Sequence, residues 1–387
     1  MDRAFPFSFP RSENSRPART TCMSAPGIQS LLQDGDFSSE SHRIAHSDLP
    51  VFNQDWWIDI ARSSPDFREL KVSHAHKVVG RLPFVLSRNR MGLTRGCDPH
   101  WSHLGGPIVD QRLSRSEQAG VIRSLLAQLP RWVSYCFICD SNLSYADLVR
   151  NAFRDAGFRH STQVTYIRHP EEGDVLGSRK AKHRGHIKRA AKSLECVDIN
   201  ATEFVQFFKM NLKARGKRSY APLDAMSRLI EKTLARQCAR AIAVKPRSCD
   251  ALDARRSPYD AAIVYVWDNT RCYYWLSSLR ASSKENQGSN PHPDAIKLLA
   301  FEAMEHARAM NLTFDADGVA TPGAENLYRN MFGLRTEQHR DVFQRENMLE
   351  RFYQQYRQKF RTMVAGSPVQ QVLNLNVGLR LSSRNQE

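Results

Sequence analysis

Ala261-Ala-Ile-Val-Tyr-Val-Trp267, Asp268-Asn-Thr-Arg271 and Cys272-Tyr-Tyr-Trp-Leu-Ser-Ser-Leu279 decide the fold. The first and third are strand-length runs rich in β-branched and aromatic residues, and the polar stretch between them predicts a hairpin. Downstream, Asp294–Met310 repeats Ile296, Leu299, Ala300, Ala303, Met304 and Ala307 at helical spacing. A strand at Leu312–Phe314 leads into Asp315-Ala-Asp-Gly318. A short helix over Glu325–Phe332, a strand near Val342–Phe343 and a helix over Met348–Phe360 follow. Upstream lie helices over Phe204–Arg215 and Pro222–Gln237 and a strand over Ala239–Val244.

The first half follows the same logic. Trp56, Trp57 and Ile60 share one helical face. Phe67–Val72 and Lys77–Leu86 read as paired strands, and His103–Val109 as a strand broken by Gly-Gly-Pro. A helix over Ser116–Leu129, a strand over Val133–Ile138, a helix around Tyr145–Ala156 and a strand over Thr162–Ile167 complete it. The fold class is α/β with mixed (α+β) sheets, in two halves of similar element order. The predicted organisation is a disordered leader over 1–47 (or a true start at Met23), an α/β domain over 48–170, a basic helical connection over 171–220, a second α/β domain over 221–365 and a flexible tail over 366–387.

Composition narrows the function. The 387 residues carry 56 Lys and Arg against 40 Asp and Glu, a formal charge of +16, which favours an anionic partner. Between Arg179 and Arg218 stand twelve basic residues and three acids. There Lys180, Arg184 and Lys188 form a stripe at i, i+4, i+8; like charges so placed repel, and a phosphate-bearing ligand relieves them. The alternative is a solvated helix joining two domains. No apolar run has membrane-spanning length, and the Pro-broken N-terminus is no secretory signal, so the expected location is cytoplasmic. The eight cysteines lack metal spacing, Cys136-Phe-Ile-Cys139 included, since its aromatic flanks read as a buried strand. His74/His76 and His183/His186 have no carboxylate at ligand spacing, so no metal is expected. P-loop, dinucleotide-binding, zincin and nucleophile-elbow motifs do not occur.

Several stretches, in their order along the chain, resemble the Fem-type, tandem GNAT acyltransferases. They are Trp56–Trp57, Gly80-Arg-Leu-Pro-Phe84, Gly105-Gly-Pro107, Lys182-His-Arg-Gly-His-Ile-Lys-Arg-Ala-Ala-Lys192, the Ala262–Trp267/Tyr273–Ser277 hairpin, Asn290-Pro-x-x-Asp294, Phe314-Asp-x-Asp-Gly318 and Leu327-Tyr-Arg-Asn-Met-Phe-Gly333. The resemblance implies two GNAT-like domains with a cleft between them. It implies an N-acyltransferase moving an acyl group from acyl-CoA or acetyl-CoA, or an aminoacyl group from tRNA, onto an amine acceptor, in cell-envelope or polysaccharide building. Arg329 aligns with a lysine of the family and is expected to stabilise anionic charge. Arg184 and Lys188 are expected to hold the donor's phosphates. Asp315 and Asp317 are candidates for proton transfer and substrate contact, or else a turn-forming pair before Gly318. Tyr328 is a candidate acid or a packing residue, and Arg218 and Tyr220 are candidate substrate contacts. The rival readings are a basic nucleic-acid-binding module and a non-catalytic GNAT-like scaffold.

Overall fold

The computed structural model describes residues 49–88, 92–247, 258–281, 290–318, 322–352 and 355–356. The expected leader over 1–47 and tail over 366–387 lie outside the described residues, as does most of the expected helix end up to Phe360.

A 3-10 turn, Val51–Asn53, leads into α1 (Asp55–Arg62) and the hairpin β1 (Phe67–His74) and β2 (Lys77–Arg88). β3 (Thr94–Cys97) and β4 (Ile108–Val109) flank a long loop, and α2 (Arg115–Ala127), β5 (Ser134–Asp140), α3 (Ala146–Asp155) and β6 (Arg159–Arg168) close the first half. The basic stretch is α4 (Ala181–Ser193), followed by β7 (Leu194–Asp198), α5 (Ala201–Ala214) and α6 (Leu223–Ala235). β8 (Ala239–Pro246), β9 (Ala261–Trp267), β10 (Arg271–Leu279), α7 (Ala295–Ala309) and β11 (Thr313–Asp315) follow. α8 (Pro322–Asn326) runs into a π-turn over Leu327–Met331, and β12 (Thr336–Arg345) is the last strand.

Local chemistry accounts for many of these boundaries. Asn200 caps α5, its Oδ1 accepting from Glu203 N at 3.0 Å while Glu203 Oε2 accepts from Asn200 N at 2.9 Å. Ser114 and Glu117 close the same box on α2. Of the strand expected over His103–Val109 only β4 forms, because Trp101 (φ 66°) and Gly106 (φ 91°) turn the chain out of the extended region.

All the strands among the described residues join one sheet, ordered β1-β2-β3-β5-β12-β6-β11-β10-β9-β8-β7, with β4 on β2. β3 with β5 and β10 with β11 are parallel; the other neighbours are antiparallel. Read from either end, the order repeats: an antiparallel meander, a helical crossover, a parallel strand. The two halves interlock at the centre. β12 inserts between β5 and β6, and β6 inserts between β12 and β11, so each half's last strand is held beside the other's. β12 and β6 pair over nine residues, from Thr336–Ile167 to Gln344–Arg159.

Three apolar clusters cover this sheet. One packs α2 and α3 on the first half, around Phe137, Phe153 and Phe343. A second packs α4 and α7 on the other half, around Tyr265, Leu299 and Phe314. The third mixes the halves, joining Phe52, Trp57, Trp101 and Leu104 to Phe204, Met226 and Trp275. Trp275 Nε1 donates to Trp101 O at 2.8 Å and Trp101 Nε1 to Pro222 O at 3.0 Å. That double anchor holds the 98–106 loop of the first half against the second.

Candidate active site

β10 and β11 run side by side for three rungs only, Arg271–Thr313, Cys272–Phe314 and Tyr273–Asp315. β10 continues to Leu279, bent by an irregularity against β9 between Tyr274 and Leu276. β11 stops at Asp315, and Ala316 N turns to donate to Tyr166 O at 2.9 Å. The strands therefore part after Tyr273, and among the described residues no strand pairs with this edge of β10 beyond that point. A strand edge of this kind presents backbone N–H donors to whatever enters the gap.

The first half has the same three-rung parallel pair, Arg95–Ser134, Gly96–Tyr135 and Cys97–Cys136, but its gap is filled. Asp98 Oδ2 accepts from Ile138 N at 2.8 Å and Gly105 N donates to Ile138 O at 2.7 Å. A Cβ on Gly105 would stand 1.9 Å from Asp98 Oδ1, and one on Gly106 2.3 Å from Cys139 Sγ. Burial pushes the Asp98 carboxyl up to about 7.

At the mouth of the open gap lies a buried ionic cluster. Arg340, from β12, places Nη2 3.0 Å from Asp315 Oδ2 and Nη1 2.5 Å from Asp317 Oδ1. Thr165 Oγ1 donates to Asp315 Oδ1 at 2.6 Å and accepts from Gly318 N at 3.0 Å. Asp317 N donates to Asp315 Oδ1 at 2.8 Å, so the turn-forming reading of this pair holds, with Asp317 in the left-handed region (φ 66°). The two acids turn the chain and also face one guanidinium.

The second oxygen of Asp317 contacts Nδ1 of His103, a residue of the 98–106 loop with no role assigned from sequence. The His103 ring stacks on Phe52, centroids 5.5 Å apart, and keeps about a quarter of its side-chain surface (24%) open. Burial first, and then the Arg340 charge, push its pKa down to about 3. At neutral pH the ring is neutral, and in the tautomer that carries its proton on Nδ1, toward Asp317, Nε2 is an acceptor.

No protein-family model and no curated protein matches the sequence. Solved structures do match. The crystal structure of FemX superposes on 79% of this chain and 94% of its own, with a TM-score of 0.52 at 12% identity. A tandem GNAT protein from the clavulanic acid biosynthesis pathway covers 74% of this chain and 86% of its own, with a TM-score of 0.42 at 11% identity. The chain has the fold of FemX.

On this fold the residues singled out from sequence fall into three places. Asp315 and Asp317 are in the cluster at the gap. Tyr328, from the π-turn, is buried close enough to feel Tyr274, Arg340 and Asp315, and burial raises its phenol. Arg329 points outward instead, 3.2 Å from Glu325 and over the Tyr166 ring at 5.7 Å.

Arg184 and Lys188 lie on α4, which packs against α7. Arg184 Nη1 donates to Arg179 O at 2.6 Å; Arg179 is itself buried and donates to Met331 O at 2.7 Å, tying α4 to the π-turn. Lys188 is exposed. His186, which has no carboxylate at local ligand spacing, finds Asp294 at 2.9 Å from the start of α7, a partner 108 residues away. Lys297 meets the same carboxylate at 2.5 Å. Arg218 is exposed after α5, and Tyr220 lies against Trp101 with centroids 4.6 Å apart.

Among the described residues no group of three or more His, Cys, Asp or Glu is placed to hold a metal. Cys139 is buried in β5, and burial holds its thiol well above its ordinary pKa.

Proposed function

We propose that this chain is an N-acyltransferase whose chemistry takes place in the β10–β11 gap. The observation that carries the reading is the pairing of an open strand edge with His103, held on Asp317 at its mouth. The donor, an acyl-CoA or an aminoacyl-tRNA, places its phosphates along α4, where Arg184 and Lys188 supply positive charge. Its carbonyl enters the gap toward the N–H groups on the edge of β10 that no described strand pairs. One fixed donor to a developing oxyanion is worth about 3 kcal/mol.

The acceptor attacks as a free amine. Once the C–N bond has formed, the nitrogen of the tetrahedral adduct is an ammonium, more acidic than the free amine's, and it must lose a proton before the adduct collapses to product. His103 Nε2 accepts that proton, and the imidazolium formed faces Asp317. Collapse of the oxyanion breaks the bond to the leaving sulfur or oxygen, which takes the proton from His103. Tyr328, Arg218 and Tyr220 remain proposed contacts of this site. Arg329 is the weakest of the proposed residues, since its guanidinium answers Glu325 and Tyr166 rather than the cluster. The filled gap of the first half supports a single donor site. Cytoplasmic acyl transfer in cell-envelope or polysaccharide building fits this reading.

Thermal shift with acetyl-CoA, longer acyl-CoAs and aminoacyl-tRNA tests it. A donor at a hundred times its Kd adds about 2.7 kcal/mol, several degrees in Tm. No shift with any of the three donor classes refutes the proposal.

A further inference from the structure

Five of the large apolar side chains most exposed to solvent lie together at the far end of the first half. Residues 348–352 and 355–356 are helical, and they leave Met348 70%, Leu349 66%, Phe352 64% and Tyr356 69% exposed. At 100° per residue these four fall within one arc of about 100°. Trp132, 58% exposed, adjoins the start of the helix, where Asn347 Nδ2 donates to Trp132 O at 2.9 Å. Asn347 also caps the helix, its Oδ1 accepting from Glu350 N at 2.7 Å, so the face is held in place rather than left dangling. In sequence the spacing continues through Phe360 and Met363.

Around this face Arg131, Arg159, Arg345 and Arg351 outnumber Glu346 and Glu350. Arg131 and Arg351 are exposed beside it. From Arg351 to Gln386 the sequence holds six Lys and Arg and no acid. A second copy of the chain laid on this face would bring like charges together. A surface that is apolar inside and negative outside satisfies both features, and Trp and Tyr suit such a boundary because each has an apolar body and a polar edge. We propose that this face docks on an anionic lipid bilayer, the helix lying in the plane of the headgroups with Met348, Leu349, Phe352 and Tyr356 inserted. No described helix is long and apolar enough to cross a membrane, and none is needed for this mode. Basic residues near such a surface contribute about 1 kcal/mol each, so binding combines charge with insertion.

Co-sedimentation of the full chain with vesicles tests the proposal. The wild-type chain is expected to pellet with vesicles of phosphatidylglycerol and phosphatidylcholine and to remain in the supernatant with phosphatidylcholine alone. Leu349→Glu/Phe352→Glu is expected to lower partitioning at least tenfold with an unchanged melting temperature, because both side chains are exposed. Arg351→Glu is expected to lower it less, and mainly at low salt. A wild-type chain that stays in the supernatant with the anionic vesicles overturns the proposal. So does a double variant that pellets as well as wild type, which would place the binding on the basic α4 instead. Light scattering that shows a dimer dissociated by the double variant also overturns it, since a second copy then covers the face.

Discussion

Arg340 Nη1 lies 2.5 Å from Asp317 Oδ1, joining a strand near the end of the chain to the turn that closes β11. Both side chains are nearly fully buried, at 4% and 1% exposure. The same guanidinium reaches Asp315, so one cation from β12 bridges two carboxylates at the gap. His103 reaches that turn from the first half. The site is thus assembled from segments more than 200 residues apart, and the interlocked strands bring them together.

Removing the cation leaves two acids buried without their partner, which typically costs 3–5 kcal/mol. Arg340→Met is therefore expected to lower unfolding free energy by about that amount in a urea titration. Arg340→Lys is expected to recover little of it, because one ammonium cannot span two carboxylates held by separate guanidinium nitrogens. A stability loss under 1 kcal/mol for Arg340→Met would show that the cluster is not the centre of the seam.

His103→Gln keeps a polar side chain of similar reach but has no basic nitrogen. With a donor identified, kcat is expected to fall by about 10²–10⁴ while donor-induced thermal stabilisation stays. Asp317→Asn should lower kcat as well, by leaving the ring unoriented. Equal turnover in wild type and His103→Gln would remove His103 from the reaction and move proton transfer to another group.

Asp98 and His103 tilt stability against pH in opposite directions. The Asp98 carboxyl is held near pH 7 in the fold against about 3.9 unfolded. Between those values the native state keeps a proton that the unfolded chain releases, so this group makes stability fall as pH rises. His103, held near 3 against about 6.5 unfolded, does the reverse, since below 6.5 the unfolded chain takes up a proton that the native state refuses. From about pH 4 to 6.5 the two slopes, each at most about 1.4 kcal/mol per pH unit, oppose one another. Chemical denaturation across pH 4–8 is expected to show Asp98→Asn gaining a positive slope relative to wild type and His103→Gln a negative one. Parallel curves for all three proteins would contradict both assignments.

The β9–β10 hairpin and α7 were legible because each is written in consecutive residues: alternating aromatics and β-branched side chains, then a clean 3.6 period. Asp315 and Asp317 were legible for a similar reason, since two acids before a glycine at a strand end mark a turn. His103 was not. A lone histidine before Leu-Gly-Gly carries no local sign of a carboxylate 214 positions downstream, and the left-handed Trp101 that aims its loop has no sequence signature. β7 was hidden by helical patterning that runs on into Leu194. The exchange of β6 and β12 was hidden as well, because strand propensity says where a strand lies and never which neighbour it takes.

That exchange makes each half depend on the other. Without β12, β5 and β6 lose their shared neighbour, Phe343 leaves the first core, and Asp315 and Asp317 lose Arg340. Without β6, β11 keeps only three rungs on one side and Ala316 loses the carbonyl of Tyr166. Bare edges of this kind pair with other chains and aggregate. Residues 48–170 and 171–365, each expressed alone, are therefore expected in the insoluble fraction. Expressed together as two chains, they are expected to be soluble and to co-purify through a tag on one of them. The cut at 170 falls after β6 in a surface turn, so it removes no rung of the sheet. A first-half fragment that is soluble, monomeric and cooperatively folding by itself would contradict the interlocked arrangement, since its β5 and β6 would then have closed without the borrowed strand.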